Sequence, residues 1–193
     1  MATGDTVFLQ MNDLGAVHPG DRYSLVQIGK EVIHPVSGKV IGRQVTPVGT
    51  VKITAVDADV ATALITTAYR EIQRGARVIP YHPAARKIVL KKATRYLSGT
   101  LVASQRDQIV LAQWNVIYVD LGSRDGLEAG NLLNLSRPRK ATERALQGKE
   151  IQLPDTLLGS AVVLRTEAHT ASALVLKSVA PIYRGDRVST VTK

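Results

Sequence analysis

Six cations and no acid fall within residues 84–106: Arg86, Lys87, Lys91, Lys92, Arg95 and Arg106. The formal net charge of the 193-residue chain is +9, so this stretch supplies most of it, and the charges on either side nearly cancel. A row of exposed cations attracts anionic polymers and lipid head groups through Coulomb forces. Arg86, Lys87, Lys91, Lys92 and Arg95 are therefore the candidate binding residues. A solubilising linker would have the same composition, so the charges alone name no ligand. Nucleic acid is a second candidate at a sequence pI near 10.0. A single-strand binder also needs aromatic platforms on its strands for stacking bases, and this chain has one Phe, one Trp and six Tyr. Trp114 and Tyr118 are the one closely spaced pair in its second half, which places nucleic acid behind an anionic polymer or lipid surface.

Other reactive groups are scattered. His18, His34, His82 and His169 are isolated from one another, and none stands at metal-ligand spacing. With no cysteine, thiolate zinc sites, disulfides and cysteine nucleophiles are excluded. The chain has no Gly-x-Ser-x-Gly elbow, phosphate loop or dinucleotide fingerprint. Carboxylates such as Asp5 and Asp120 show no spacing that poises two of them for acid–base work, and Asp120 reads as a turn cap. No catalytic residue, metal ligand or cofactor is assigned. The expectation is a non-enzymatic protein.

The elements that must position these groups form a duplication. Residues 4–81 lie over 114–191 without a gap, 110 positions apart. Gly20 falls on Gly130, Leu25 on Leu135, Gly49 on Gly159, and Thr62-Ala63-Leu64-Ile65 on Ser172-Ala173-Leu174-Val175. Ile72-Gln73-Arg74-Gly75-Ala76-Arg77-Val78 falls on Ile182-Tyr183-Arg184-Gly185-Asp186-Arg187-Val188. Phe8 falls on Tyr118, which points to a shared core or edge position. A group needed for chemistry in both copies would recur in both, and no candidate catalytic residue does.

Short β-branched blocks bounded by Gly, Pro, Asn and Asp read as strands, and no long 3.6-residue apolar period occurs. In the first copy they are Thr6–Met11, Tyr23–Ile28, Val48–Val56, Ala61–Ala68 and Arg77–Pro80. In the second they are Leu97–Ala103, Gln108–Leu111, Val116–Leu121, Leu132–Ser136, Leu157–Thr166, Ala171–Ser178 and Arg187–Val191. Gly29–Pro47 and Arg137–Pro154 read as irregular excursions, with a short helical turn over 141–150. The fold expected is all-β, two tandem small β-barrel-like domains: 1–83, a basic connector 84–96, and 97–193. The first two blocks of the second copy have no counterpart in residues 1–83, so the first barrel is expected to be the less complete, with an open sheet edge.

Several phrases carry a resemblance. Gly4-Asp5-Thr6-Val7-Phe8-Leu9, Val17-His18-Pro19-Gly20-Asp21-Arg22-Tyr23 and His34-Pro35-Val36-Ser37-Gly38-Lys39-Val40-Ile41-Gly42 look like the C-terminal region of bacterial LysM-containing envelope proteins. So do Leu153-Pro154-Asp155-Thr156-Leu157-Leu158-Gly159 and Ser172-Ala173-Leu174-Val175-Leu176 with Gly185-Asp186-Arg187-Val188. Each copy is more distantly similar to the C-terminal domain of flagellar assembly protein T, a periplasmic β-domain used for assembly contacts. The resemblance implies an exported binding or scaffold segment in the periplasm or cell envelope. Peptidoglycan would be bound through a LysM module outside this chain, with an envelope protein or an anionic cell-wall or lipid component as partner. The alternative is a basic nucleic-acid-binding β-barrel protein of the cytosol. In one place the first copy departs from the pattern: Gly75-Ala76 stands where Gly-Asp is expected, so its last turn must be held differently.

Overall fold

The computed structural model describes residues 1–83, 87–139 and 153–192. Eleven strands are present among them: β1 Thr6–Leu9, β2 Arg22–Ile33, β3 Val40–Val56, β4 Ala61–Ala68, β5 Arg77–Pro80, β6 Ser98–Ser104, β7 Val116–Val119, β8 Leu132–Arg137, β9 Thr156–Thr166, β10 Ala171–Ser178 and β11 Arg187–Thr190. A single 3-10 turn, Ser123–Asp125, is the one helical element of the described residues. The chain divides into two compact units, Met1–Glu31 with Gly42–Ala85, and Val32–Ile41 with Arg86–Lys193.

The two copies share one frame. The first unit is an open five-stranded sheet in the order β1-β4-β3-β2-β5, and the second is a closed six-stranded barrel. Its strands run β7-β10-β9-β8-β11, the same order 110 residues on, and β6 joins β11 back to β7. Registers agree pair by pair: Thr6 faces Leu64 as Val116 faces Leu174, and Leu25 faces Val78 as Leu135 faces Val188. Even the bulges recur. The β3–β4 ladder skips Thr54 and Thr66, and the β9–β10 ladder skips Leu164 and Leu176. Such bulges sharpen the twist that lets a small sheet curl. Gly20 and Gly130 hold the same positive φ, 103° and 90°, and each donates its N–H into the long strand, to Ile53 and Val163.

Side-chain alternation places the cores. Along β10, Ala171, Ala173 and Val175 are buried and the residues between them are not, as the two-residue period of a strand requires. Small inward residues suit the narrow interior of a small barrel. Every residue of the first core (Val7, Leu9, Val17, Leu25, Val48, Val51, Ile53, Ala61, Ala63, Ile65 and Ile72) has its counterpart 110 positions on in the second core. Five further residues complete the second: Leu101, Leu111, Leu121, Leu133 and Val188. Full burial of one such aliphatic side chain contributes about 1.5–3 kcal/mol.

The structure corrects four expectations. Gln108–Leu111 is not a strand: Asp107 takes a positive φ of 53°, Ser104 Oγ accepts the Gln108 N–H, and Leu111 makes one isolated bridge to Ile182. Gly29–Pro47 is not irregular, because β2 and β3 run on through most of it as a ribbon closed by a turn at 34–39. Residues 87–96 are not a connector lying between two domains. They belong to the second unit, with Ala93 buried and bridged to Thr192. Nor does the division at 83 hold for Val32–Ile41, which falls in the second unit. The helical turn expected over 141–150 lies outside the described residues.

Candidate functional site

The basic strip is laid along the second barrel by backbone hydrogen bonds. Lys91 N–H donates to Gly130 C=O at 2.8 Å and Leu132 N–H to Lys91 C=O at 3.0 Å. Two residues on, Ala93 N–H donates to Val191 C=O at 2.8 Å. The Thr190 hydroxyl then clasps the end of the strip, donating to Arg95 C=O at 2.9 Å while accepting the Leu97 N–H at 2.8 Å. Thr190 is buried, and this part-buried pair of bonds holds the ribbon at fixed positions.

Its cations divide into two sets. Lys91 pairs with Glu128, and the Arg95 guanidinium donates to Asp125 C=O beside Gly126. Lys87 and Lys92 are exposed and have no ion-pair partner among the described residues. Arg86 lies outside the described residues. The strip therefore presents two uncommitted cations, flanked by two that also hold the turn over 123–130. Val89 and Leu90, between them, are exposed at 79% and 55%, which adds an apolar element to the same ribbon.

A second polar cluster was not legible as a unit in the sequence. His34 and Asp120 stand 86 positions apart, and both belong to the second unit. His34 Nε2 lies 2.9 Å from Asp120 Oδ2. On the other side of the ring, Nδ1 accepts the N–H groups of Val36 and Ser37, each at 3.1 Å. An acceptor at Nδ1 places the proton on Nε2, which then donates to Asp120. Asp120 Oδ1 accepts the Thr100 N–H of β6, so its carboxylate ties strands together instead of capping a turn, the role its sequence context had suggested. Arg184 adds a bond to Ile33 C=O. Every side-chain nitrogen and oxygen of this His–Asp pair is engaged, either with its partner or in holding backbone.

The third cluster is the turn before β11. Asp186 accepts Arg137 Nε–H at 2.7 Å, Arg137 Nη2–H at 2.8 Å and the Tyr183 N–H at 2.7 Å. Arg137 also donates to Pro181 C=O at 3.0 Å and lies over the Tyr183 ring, 4.9 Å from its centroid. The hydrogen bond to Asp186 is the main cause that raises the Arg137 pKa above its ordinary value, against the opposing effect of burial. The first copy has Gln27, Gln73 and Ala76 at these three places. There Ala76 N–H donates to Gln73 C=O at 3.3 Å with no carboxylate beneath it. The turn is held differently, as its Gly-Ala sequence implied, and a shallow polar cleft of about 290 Å³ lined by Gln27, Gln73, Gly75 and Ala76 occupies the spot.

The remaining histidines are peripheral. His18 is exposed beside Asp21, His82 meets Pro80 C=O, and His169 Nε2 accepts from Arg124. No cluster of three metal-ligating side chains occurs among the described residues. Trp114 is 67% exposed and takes a positive φ of 70° where the first copy has Gly4, a conformation that costs about 1–2 kcal/mol in an L-residue. The chain matches no family model and no curated protein.

Proposed function

We propose that this chain is a non-enzymatic binding or scaffold segment of a bacterial cell-envelope protein of the LysM-containing, peptidoglycan-associated kind, the LysM module itself lying outside residues 1–193. One observation carries the reading. The polar constellations that look most like chemistry, His34–Asp120 and Arg137–Asp186–Tyr183, are engaged in pairing and in holding backbone, while Lys92 stands exposed on a ribbon fixed to a barrel and Lys87 is exposed four residues before that ribbon's first backbone bond. Pinned cations on a rigid support bind an anionic surface without the entropic cost of ordering a floppy tail. The ligand class is an anionic cell-wall polymer or phospholipid head group, and peptidoglycan is reached through the outside module.

Sedimentation tests this directly. The chain is expected to co-sediment with anionic phospholipid vesicles at low salt and to be released as salt is raised, since exposed charges are screened over about 8 Å at physiological ionic strength. It is expected not to sediment with purified peptidoglycan. Tighter retention on single-stranded nucleic acid than on vesicles at matched salt would favour the cytosolic nucleic-acid-binding alternative. Retention on peptidoglycan alone would place the glycan contact inside this chain and overturn the division of labour proposed here.

A further inference from the structure

We infer that the turn before β5 binds a carboxylate supplied from outside the chain, at the place the Asp186 side chain fills in the second unit. The site lies within the first unit, between β2, β3 and this turn, and the inference is independent of the basic ribbon. It rests on an internal template, because the two copies agree in strand order, register, bulges and every residue of the smaller core. Within that shared frame, individual substitutions show which groups the first copy lacks.

The second unit shows what the turn takes. Asp186 Oδ2 accepts the Tyr183 N–H at 2.7 Å, and its two oxygens accept from the Arg137 guanidinium at 2.7 and 2.8 Å. The backbone of the two turns is the same. Asp186 N–H donates to Tyr183 C=O at 3.1 Å, as Ala76 N–H does to Gln73 C=O at 3.3 Å. Gly185 and Gly75 hold positive φ values of 98° and 89°. What differs is the side chain of the fourth residue, a carboxylate at Asp186 and a methyl at Ala76. The Gln73 N–H, equivalent to that of Tyr183, therefore has no acceptor among the described residues.

Further donors around this N–H are present and unspent. Gln27, Gln73, Arg74 and Arg77 line the cleft of about 290 Å³ at the turn. Both arginines are exposed, and neither guanidinium has a partner among the described residues. Their equivalents in the second unit are engaged: Arg184 donates to Ile33 C=O, and Arg187 pairs with Asp155 at 2.9 Å. The second copy has thus spent its arginines and filled its turn from within, and the first has done neither. Glu71 is the one acid among the lining residues, at the Pro181 position. Two guanidinium groups against one carboxylate leave the cleft net cationic, which favours an anion. A carboxylate fits the donor set, since guanidinium groups pair with its two oxygens and a backbone N–H adds a bond of fixed direction. The ligand class is a carboxylate, carried by an acidic peptide segment or by a small organic acid.

The test follows the backbone amide resonances of the full isotope-labelled chain at constant ionic strength. Three probes are titrated: acetate, a blocked Gly-Glu-Gly peptide and its Gly-Gln-Gly counterpart. The expected result is a saturable shift at the Gln73 and Ala76 amides with a carboxylate probe, none with the Gln peptide, and none at Tyr183, whose acceptor is already in place. A response to the Glu peptide alone assigns an acidic segment of a polypeptide, and a response to acetate as strong as to the peptide assigns a small acid. Arg74→Gln with Arg77→Gln should weaken binding at least about fivefold. Ala76→Asp, which tethers a carboxylate at the turn, should abolish binding and shift the Gln73 amide by itself; the arginine pair keeps the test valid where that variant fails to fold. Absence of a saturable shift with both carboxylate probes would overturn the inference. So would equal responses to the Glu and Gln peptides, equal shifts at Gln73 and Tyr183, or undiminished binding by folded Ala76→Asp.

Discussion

Replacing Asp186 by Ala should unlock the second unit and leave the first untouched. Asp186 has a side chain 5% exposed and accepts three hydrogen bonds, two from Arg137 and one from Tyr183 N–H. Removal strands the Tyr183 N–H in a half-buried turn, which costs about 1–3 kcal/mol. The ion pair adds less than the 3–5 kcal/mol typical of breaking a fully buried one, because Arg137 is 41% exposed and regains water when released. A total of about 2–4 kcal/mol follows, or a fall in Tm of roughly 10–25 °C for a unit of this size. Asp186→Asn should lose less, since its amide oxygen still accepts from Tyr183. Urea denaturation followed by segment-resolved hydrogen exchange separates the units. Losses should appear in β6, β8 and β11, not in β1–β5, where Ala76 already stands in the equivalent place. The reverse graft, Gln27→Arg with Ala76→Asp, should stabilise the first unit by about 1 kcal/mol. On the side of Arg137 the effect carries no pH signature: a cation whose pKa is raised on folding contributes stability below its unfolded value and loses it only as pH climbs through the folded one, far into alkali. Loss of less than about 0.5 kcal/mol in Asp186→Ala, or equal loss in both units, would refute the assignment of this turn as the lock of the second barrel.

Three further outcomes are expected. Gly159→Ala should destabilise the second unit by about 1–3 kcal/mol in urea titration, because its Cβ would lie 2.1 Å from Lys177 C=O and backbone would have to move; Gly49→Ala, at 2.6 Å from Thr67 C=O, should do the same in the first. Thr190→Val should cost about 1–3 kcal/mol and speed exchange at Leu97, as the clasp on the basic ribbon loses both its bonds. Lys87→Gln with Lys92→Gln should weaken retention on anionic vesicles with no change in Tm, whereas Lys91→Gln with Arg95→Gln should also lower stability by about 0.2–1 kcal/mol, measured by thermal melts.

Much of the fold was legible because turn chemistry and strand alternation are local. Gly20 and Gly130, and the Ala61–Ala68 and Ala171–Ser178 strands, were placed by residue type and by repetition alone. The ribbon through Gly29–Pro47 was not, since its length and its Gly and Pro residues read as an irregular excursion. Pro47 lies within β3 but outside its ladder with β4, which begins at Gly49. Gln108–Leu111 failed for the opposite reason: an apolar run looked like a strand, but Ile109 and Val110 face solvent at 83% and 51%. Of the candidate site, the charges were visible and their fixation was not. The basic strip's bonds run to Gly130, Val191 and Thr190, long-range contacts that composition cannot report. His34 and Asp120 likewise meet only through tertiary structure.

The differences between the copies converge on one place, and this argues that they are linked. Asp186 fixes the turn from which β11 emerges, and its own C=O accepts the Leu101 N–H of the closing strand. Lock and closing strand therefore share a residue: the side chain of Asp186 sets the turn, and its backbone receives β6. In the first unit Ala76 supplies the backbone without the lock, Gln27 replaces the arginine, and no strand follows across the edge among the described residues. Transplanting the lock through the double substitution Gln27→Arg with Ala76→Asp should therefore stabilise the first unit and slow amide exchange at its last turn, residues 73–76, while leaving the second unit unchanged. A graft that left exchange at this turn unchanged would show that the Arg137–Asp186 pair does not fix the turn by itself.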